Sequence, residues 1–350
     1  AAMAGFADVP GTRIIVFYPK DGVSKVQELQ MRTQKGDNTS VVAIHGNFDD
    51  AQTGVKKMFG DKDLEAELMG KGFQFSSANS INIGRLVPQI VYYVYAYAKL
   101  LEAGEIEKGE KINVVVPTGN FGNILAAYFA KRMGLPVKTL VCASNDNKVL
   151  YDFFTTGTYD RRREFILTNS PSMDILISSN LERLIYLSAG CDALANKSLM
   201  QRLSEEGRYE VTPEMRAFMS DFAGGFATQE QNAVTIRKLF DDTGYLIDTH
   251  TGVAATVYGN YRKESGDDTK TVIASTASPY KFSHSVMEAI AGREGLEGRD
   301  EFEIVDALSA LSGVAVPQAV EEIRHAAVRH NRECGVDDMK NEVKDILGIS

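Results

Sequence analysis

The stretch Val114-Val115-Val116-Pro117-Thr118-Gly119-Asn120-Phe121-Gly122-Asn123-Ile124-Leu125 reads as a buried strand that runs through a glycine-bearing turn into a helix. A short continuous apolar run before such a turn is typical of a strand covered on both faces of a sheet. The helix is predicted over Gly122 to Arg132, because Gly134 and Pro136 follow as stop signals. The stretch therefore predicts a strand-turn-helix unit of an α/β fold.

The turn of this unit, residues 118–123, is a candidate phosphate site. A helix N-terminus presents unpaired N–H groups and the positive end of a dipole, and both attract an anion. Gly119 and Gly122 let the backbone come close to a ligand, and Thr118, Asn120 and Asn123 can add side-chain donors. The same residues also fit an ordinary strand-to-helix connection without a ligand, so the turn alone leaves both interpretations open.

A dinucleotide is a poorer match to this turn than a single phosphate monoester. The glycine spacing G-N-F-G lacks the G-x-G-x-x-G pattern that combines a tight turn, approach to the pyrophosphate and close helix packing. The bulky Phe121 is expected inside the loop, where a pyrophosphate would otherwise run. The sequence therefore favours one phosphate group at this position.

Strand and helix patterns alternate along most of the chain, which predicts an α/β fold with parallel sheets covered by helices. Strands are predicted at Arg13–Tyr18, Val41–Ile44, Phe73–Ser77, Ile112–Val116, Val137–Ala143, Tyr245–Asp248 and Thr271–Ala274. Helices are predicted near Ala1–Ala7, Ser24–Gln34, Asp49–Phe59, Asn82–Leu101, Lys148–Phe154, Glu301–Leu311, Gln318–Val328 and Asp337–Leu347. With 350 residues the chain is expected to form two lobes, residues 1–85 and 86–350, the second with a helical excursion at about 181–240.

Composition limits the kinds of partner and compartment. A net charge of -9 argues against nucleic acid or an anionic membrane as the main partner. The three cysteines, Cys142, Cys191 and Cys334, form no C-x-x-C pair, which favours a reducing cytoplasm and gives no sign of a metal site. The apolar run Leu86–Leu101 is shorter than the ~20 residues of a membrane span, so a buried helix is expected there.

Several segments, in one register over most of the chain, resemble threonine synthases, which are fold-type-II pyridoxal phosphate enzymes related to the tryptophan synthase β chain. The turn P-T-G-N-F-G-N at 117–123 looks like the loop for the cofactor phosphate, and N-S-I-N-I-G-R at 79–85 is similar to the segment that contacts the substrate phosphate. D-T-H-T-G-V-A at 248–254 resembles the family's D-P-H-T-x-V-A, with Thr249 in place of proline. S-T-A-S-P-Y-K-F at 275–282 resembles T-A-H-P-x-K-F, with Ser278 in place of histidine. The segments at 5–12 and 18–24 also match in order.

The resemblance implies the conversion of O-phospho-L-homoserine and water to L-threonine and phosphate, with pyridoxal 5'-phosphate as cofactor. It implies that residues 118–123 hold the cofactor phosphate, that Thr276 faces the pyridine nitrogen, and that Asn79, Ser80 and Arg85 contact the substrate phosphate. If Asn79 or Ser80 caps the long helix, Arg85 lies one turn in and points its guanidinium back at an anion. His250, Lys281 and Lys20 are further candidates, each of which also fits an ordinary structural or surface role.

The family's Schiff-base lysine lies in an F-K-D type segment N-terminal to the matching residues, and no lysine here has an equivalent setting. The catalytic lysine is therefore expected outside this chain, which would then be a C-terminal portion of a threonine synthase and catalytically incomplete by itself. Two alternatives stay open at this point. One is another fold-type-II lyase of the threonine dehydratase or cysteine synthase type, and the other is a non-catalytic module that binds a phosphate ligand.

Overall fold

The computed structural model describes residues 2–349, which fold into two compact units. One unit contains residues up to 77, residues 280–287 and the chain from residue 293 onward, and the other contains residues 78–279 and 288–292. Ala1, at which the predicted N-terminal helix begins, lies outside the described residues.

The strands in chain order are β1 Ile14–Pro19, β2 Thr39–His45, β3 Ile112–Pro117, β4 Val137–Ser144, β5 Thr158–Asp160, β6 Arg208–Glu210, β7 Phe222–Phe226, β8 Thr271–Ile273 and β9 Arg332–Gly335. The α-helices are α1 Ala2–Phe6, α2 Lys25–Arg32, α3 Phe48–Gly60, α4 Lys62–Gly70, α5 Ile83–Leu86, α6 Ile90–Glu102, α7 Gly122–Arg132, α8 Val149–Thr156, α9 Leu181–Ser188, α10 Ala193–Glu205, α11 Pro213–Phe218, α12 Gln229–Thr243, α13 Thr249–Ser265, α14 Ser283–Ala291, α15 Glu301–Ser312, α16 Gln318–Arg324 and α17 Met339–Leu347. Short 3-10 helices lie at Val87–Gln89, Pro171–Met173, Pro279–Phe282, Arg293–Gly295 and Val336–Asp338.

The larger unit is built on a parallel sheet with the strand order β7-β4-β3-β8. Alternate residues of β3 point to opposite faces, and both faces are buried. Val114 and Val116 pack in one apolar cluster with residues of α7, α8 and α9, while Val115 packs in another with residues of α13. This two-sided burial explains the unbroken valine run and confirms the predicted parallel α/β architecture.

The smaller unit has its own parallel sheet, ordered β1-β2-β9. Val42 and Ile44 of β2 lie in one apolar cluster, and Val41 and Ala43 lie in a second. Strand β9 brings the end of the chain back beside β2, so the residues from 293 onward group with the N-terminal unit. This grouping differs from the expected lobes 1–85 and 86–350. It could not be predicted from the sequence, because β9 is short, carries the charged residues Arg332 and Glu333, and has no strand pattern.

Some predicted elements differ in the structure. Phe73–Ser77 and Tyr245–Asp248 form no strand within the described chain, and the second segment instead leads into α13. Strand β7, with the sequence FAGGF, was hidden in the helical excursion because its glycines lower the strand signal. A Cβ on Gly224 would lie 3.3 Å from the backbone of Tyr151, a tight contact that favours glycine at this position.

The structure has a helix over most of Leu86–Leu101, as predicted, but the expected burial is wrong. Pro88 lies in a 3-10 turn before α6 begins at Ile90. Tyr93 and Tyr97 of α6 are buried, but Val91 and Tyr95 are each 62% exposed. The helix is thus apolar around most of its surface while only one side packs in the core. Within residues 2–349, no helix has the length and apolar character needed to cross a membrane.

Candidate functional site

The turn at 118–123 lies at the carboxyl edge of the β7-β4-β3-β8 sheet. Thr118 follows β3 and donates its backbone N–H to the carbonyl of Ala143 on β4 at 2.8 Å. Ala274 follows β8 and donates to the carbonyl of Val115 at 2.9 Å. Because the strands are parallel, residues 118–123 and the segment that carries Thr276 emerge at one edge, where open α/β sheets bind ligands.

Phe121 gives the turn its backbone shape. It adopts a left-handed conformation, with φ at 64°, and its ring is 1% exposed. The ring packs against Phe154 and Phe222, with ring centroids 5.9 and 5.7 Å away. The expectation that Phe121 fills the loop is therefore wrong, because the apolar core takes the ring. A left-handed residue directly before a helix makes successive N–H groups converge, as in the backbone nests that bind anions.

The N-terminus of α7 keeps its first amide groups without a side-chain cap. Its N-cap residue is Phe121, and no side chain in residues 2–349 accepts a capping hydrogen bond there. The first bond of the helix runs from Leu125 N–H to the Phe121 carbonyl at 3.1 Å. In the same unit, Thr228 and Asp248 cap α12 and α13 with side-chain oxygens. The uncapped amides of α7 are thus available to an anionic ligand.

Two polar side chains of the turn are engaged by the protein. The Thr118 hydroxyl donates to the Val116 carbonyl at 2.7 Å, so its proton does not point to a ligand as expected. The buried Tyr93 hydroxyl donates to Asn123 Oδ1 at 2.5 Å, and burial raises the pKa of Tyr93, which keeps the phenol a donor. This bond occupies the amide oxygen of Asn123, which turns its N–H₂ group away from Tyr93.

The two glycines of the turn admit protein neighbours. A Cβ on Gly119 would lie 2.6 Å from the carbonyl oxygen of Ser172, and one on Gly122 would lie 2.6 Å from Cβ of Ser80. The close approach of two other chain segments is thus a reason for these glycines that was not expected from the sequence. The contact with Ser80 makes segment 79–85 a direct neighbour of the turn.

Residues 178–180 support the turn from its carbonyl side. Ser178 Oγ donates to the Gly119 carbonyl at 2.7 Å. Asn180 donates to the Asn120 carbonyl from its backbone N–H at 3.1 Å and from Nδ2 at 2.9 Å. Fixing these carbonyls leaves the N–H side of the turn for a ligand. These residues were not predicted from the sequence, although the Ser-Ser-Asn cluster before the helix at Leu181 is a visible signal.

Segment 79–85 forms a compact turn with an exposed arginine. Asn79 Oδ1 accepts from Ile81 N–H at 2.9 Å, and Asn82, rather than Asn79 or Ser80, caps α5 through Gly84 N–H at 2.9 Å. Helix α5 has only four residues because Pro88 interrupts the path into α6. Arg85 is exposed and forms no ion pair within residues 2–349, so its guanidinium is available to an anion.

His250 is buried and held from both ring nitrogens. Nε2 accepts the backbone N–H of Ser172 at 3.2 Å, and Nδ1 lies 3.1 Å from Asp248 Oδ1. Burial alone would raise the pKa of Asp248, but hydrogen bonds from His250 and Thr251 outweigh it and lower that pKa. An accepting Nε2 assigns the proton to Nδ1, so His250 is neutral and positions the 170–174 segment.

The remaining predicted residues fall in two places. Thr276 is exposed and lies three residues beyond the end of β8. Lys20 and Lys281 belong to the smaller unit, where Lys20 Nζ forms an ion pair with Glu333 at 2.5 Å. Lys281 Nζ lies 5.8 Å from the ring centroid of Phe282. The turn, segment 79–85, His250 and Thr276 thus share one unit, and the two lysines do not.

The donor set at this edge fits a phosphate monoester. Uncapped amides, a left-handed backbone residue and side-chain amide groups match the oxygens of such a ligand. In addition, the buried hydroxyls of Ser144, at the end of β4, and of Ser179, beside Asn180, have no hydrogen-bond partner among the described residues. Such groups usually indicate a ligand or ordered water.

Comparison with known proteins places these observations in a family. The family model for the C-terminal part of threonine synthase matches residues 251–333. Threonine synthase from Saccharomyces cerevisiae is 34% identical over 83% of this chain and 58% of that protein, and human threonine synthase-like 1 is 39% identical over 80% of this chain and 38% of that protein. The chain thus spans less than two thirds of these relatives.

Two solved structures extend the likeness to nearly the whole chain. Pyridoxal-phosphate-bound threonine synthase from Brucella melitensis has a TM-score of 0.77 and 33% identity, covering 97% of this chain and 67% of that one. Yeast threonine synthase has a TM-score of 0.78 and 28% identity, covering 99% and 67%.

Proposed function

The chain belongs to the threonine synthase family of fold-type-II pyridoxal phosphate enzymes, and we propose that it binds pyridoxal phosphate and takes part in the conversion of O-phospho-L-homoserine and water to L-threonine and phosphate. One observation carries this proposal. The side chain of Ser80 lies against Gly122, which brings segment 79–85 into contact with the turn at 118–123. The reaction needs two phosphate positions close together, one for the cofactor and one for the substrate, and these two segments supply them.

The turn at 118–123 would hold the cofactor phosphate. The uncapped amides at the start of α7 donate to its oxygens, and the helix dipole favours its charge. Asn123 adds an amide N–H₂ group whose orientation is fixed by the bond from Tyr93. This arrangement accepts the phosphate without a lysine or arginine in the turn itself.

Thr276 would meet the pyridine nitrogen. It follows β8 at the same edge of the sheet as the turn, and its hydroxyl is exposed there. A hydroxyl makes a neutral hydrogen bond to this nitrogen, whereas a carboxylate would hold a proton on it. The bound cofactor supplies a conjugated ring that accepts negative charge from the substrate.

Arg85 would bind the phosphate of the substrate. Its guanidinium is exposed, and it can make two parallel hydrogen bonds to phosphate oxygens. In a chain with a net charge of -9, this local cation is what makes a second anion site favourable.

Affinity for the substrate and for its dephosphorylated analogue tests this function. We expect O-phospho-L-homoserine to bind to the chain loaded with pyridoxal phosphate, and L-homoserine, which lacks the phosphate, to bind at least about tenfold more weakly. Equal affinities would refute a second phosphate position and would favour a lyase of the threonine dehydratase or cysteine synthase type.

The variant Arg85→Ala tests whether Arg85 binds the phosphate of the substrate. We expect this variant to lose affinity for O-phospho-L-homoserine while its affinity for pyridoxal phosphate stays unchanged. Arg202→Ala on α10 is the matched control, because that partly exposed arginine forms an ion pair only with Glu206 in the described chain and lies outside the site. Equal losses of cofactor and substrate affinity in Arg85→Ala would contradict the assignment.

The location of the lysine that would bond to the cofactor, outside this chain, stays a prediction. The expected inactivity of this chain by itself also stays a prediction. We propose that none of the lysines from Lys20 to Lys344 forms that bond. Borohydride reduction in the presence of pyridoxal phosphate, followed by intact-mass measurement, should therefore give no adduct. A pyridoxyl group on any of these lysines would contradict the proposal.

A reducing compartment such as the cytoplasm is also part of the proposal. Cys142, Cys191 and Cys334 are all free thiols, and Cys142 and Cys334 are buried. Buried thiols without disulfides are typical of reducing compartments.

A further inference from the structure

Arg183 lies on α9 and contacts segment 79–85. No sequence pattern indicated this residue. Its Nη2 donates to the carbonyl of Ile81 at 2.7 Å, and Nη1 lies 3.5 Å from the carbonyl of Ser80. The side chain is half-buried. One planar guanidinium therefore fixes two consecutive peptide groups of segment 79–85.

The same guanidinium is connected to the turn at 118–123 by hydrogen bonds through one intermediate residue, Asn180. Arg183 Nη1 donates to Oδ1 of Asn180. Asn180 in turn donates Nδ2 to the carbonyl of Asn120, at 2.9 Å. Since Asn180 is 1% exposed, its amide has little freedom to move independently. Arg183, Asn180 and Asn120 thus form a continuous chain of hydrogen bonds between segment 79–85 and turn 118–123.

The charge of Arg183 is not neutralised by an acidic side chain. All its hydrogen-bond partners are carbonyl or amide oxygens, and no carboxylate in the described part of the chain lies within ion-pair distance. The positive charge is therefore retained next to two segments that would each hold a phosphate. Neutral acceptors fix the geometry of the fork without removing its field.

We propose that Arg183 is a positioning residue that couples the two phosphate-binding segments, so that occupation of turn 118–123 by the cofactor orders segment 79–85 for the substrate. This inference rests on the proposed function, because it assigns both segments to phosphate ligands. Coupling of this kind needs a physical connection with defined geometry, and the hydrogen-bond chain through Asn180 provides it. A lysine cannot replace Arg183, because a single ammonium group does not have the fixed, planar set of donors with which the guanidinium bonds to Ile81, Ser80 and Asn180.

Hydrogen exchange of the backbone, resolved by peptide, tests the coupling. In the ligand-free chain, Arg183→Gln and Arg183→Lys should each speed exchange about tenfold or more in peptides covering residues 79–85. Arg202→Gln on α10 is the control and should leave those peptides unchanged. Unchanged exchange in folded Arg183→Gln, or full protection in Arg183→Lys, would overturn the proposal. Asn180→Ala gives a second variant that breaks the same chain of bonds if Arg183 variants fold poorly.

Addition of pyridoxal phosphate separates this inference from the proposed function. In the wild-type chain we expect the ligand to protect both 118–126 and 79–85, and in Arg183→Gln to protect only 118–126. Protection of 118–126 alone in the wild type, or of both segments in Arg183→Gln, would refute coupling by Arg183 and leave the proposed function standing. Protection of neither segment in the wild type would refute cofactor binding at the turn, and the ligand-free comparison would then decide the role of Arg183.

Discussion

The ring nitrogen Nε2 of His250 accepts a hydrogen bond from the backbone N–H of Ser172 at 3.2 Å. The carbonyl of the same Ser172 occupies the space where a Cβ of Gly119 would lie, at 2.6 Å. His250 therefore fixes the peptide against which the turn at 118–123 packs. A neutral imidazole is needed, because a protonated Nε2 would oppose the N–H of Ser172.

His250→Phe should destabilise the chain, because it keeps the ring volume but leaves the Ser172 N–H without its acceptor. We expect a loss of about 1–3 kcal/mol in the free energy of unfolding. His325→Phe is the control and should change stability little, since His325 is exposed. Urea unfolding followed by circular dichroism measures both. Equal stabilities of His250→Phe and wild type would contradict the inference that His250 fixes the Ser172 peptide.

Asp248 should make stability depend on acid pH. Its folded-state pKa is lowered, despite burial, by hydrogen bonds from His250 and Thr251, so its stabilisation is present above the unfolded pKa of about 3.9 and is lost as the pH falls below it. Asp248→Asn should therefore lose less stability than wild type on acidification. Burial raises the pKa of Asp146, so the contribution of this residue to stability falls as the pH rises. Asp146→Asn removes that opposing contribution and should steepen the rise of stability with pH. Matching slopes for Asp248→Asn and wild type would contradict this.

Gly119→Ala should be costly for a steric reason. The new methyl group would lie 2.6 Å from a backbone carbonyl that cannot move aside easily, so we expect a loss of about 1–3 kcal/mol and weaker binding of pyridoxal phosphate. Gly259→Ala is the matched control, because that exposed position on α13 has open space around it and should gain about 1 kcal/mol from helix propensity. Thermal unfolding compares them, and a neutral Gly119→Ala would show that the turn does not pack as described.

Phe121 allows the left-handed turn to be tested separately from the core. Removing its ring should cost about 3–5 kcal/mol, because the ring packs against Phe154 and Phe222. At a φ of 64°, however, glycine is favoured over alanine by about 1 kcal/mol. Phe121→Gly should therefore unfold at higher denaturant concentration than Phe121→Ala. The reverse order, usual at right-handed positions, would exclude the left-handed conformation.

The strongly patterned parts of the fold and site were predictable from sequence. The strand before the turn and helix α7 carry long apolar runs with clear stop signals, and the predicted helix Gly122–Arg132 matches the structure. Segment 79–85 was recognisable as a motif, but its capping residue was not, because Asn79, Ser80 and Asn82 are all good N-caps and only the folded chain selects Asn82.

The supporting residues were not predictable, because their partners are remote in sequence. Arg183 bonds to Ile81, 102 positions away, and Asn180 bonds to Asn120, 60 positions away. Strand β9 was missed for a related reason, since its pairing with β2 rather than its own residues makes it a strand. Local patterns predict elements, whereas long-range hydrogen bonds decide which polar side chains support the site.

The affinity of the chain for pyridoxal phosphate compared with pyridoxal tests the central claim most directly, because the two ligands differ only in the phosphate group. If residues 118–123 hold that phosphate, isothermal titration should show pyridoxal phosphate binding at least about tenfold more tightly. The difference should shrink in Gly119→Ala and persist in Gly259→Ala. Equal affinities for the two ligands in the wild-type chain would contradict the assignment of the turn as the cofactor's phosphate site.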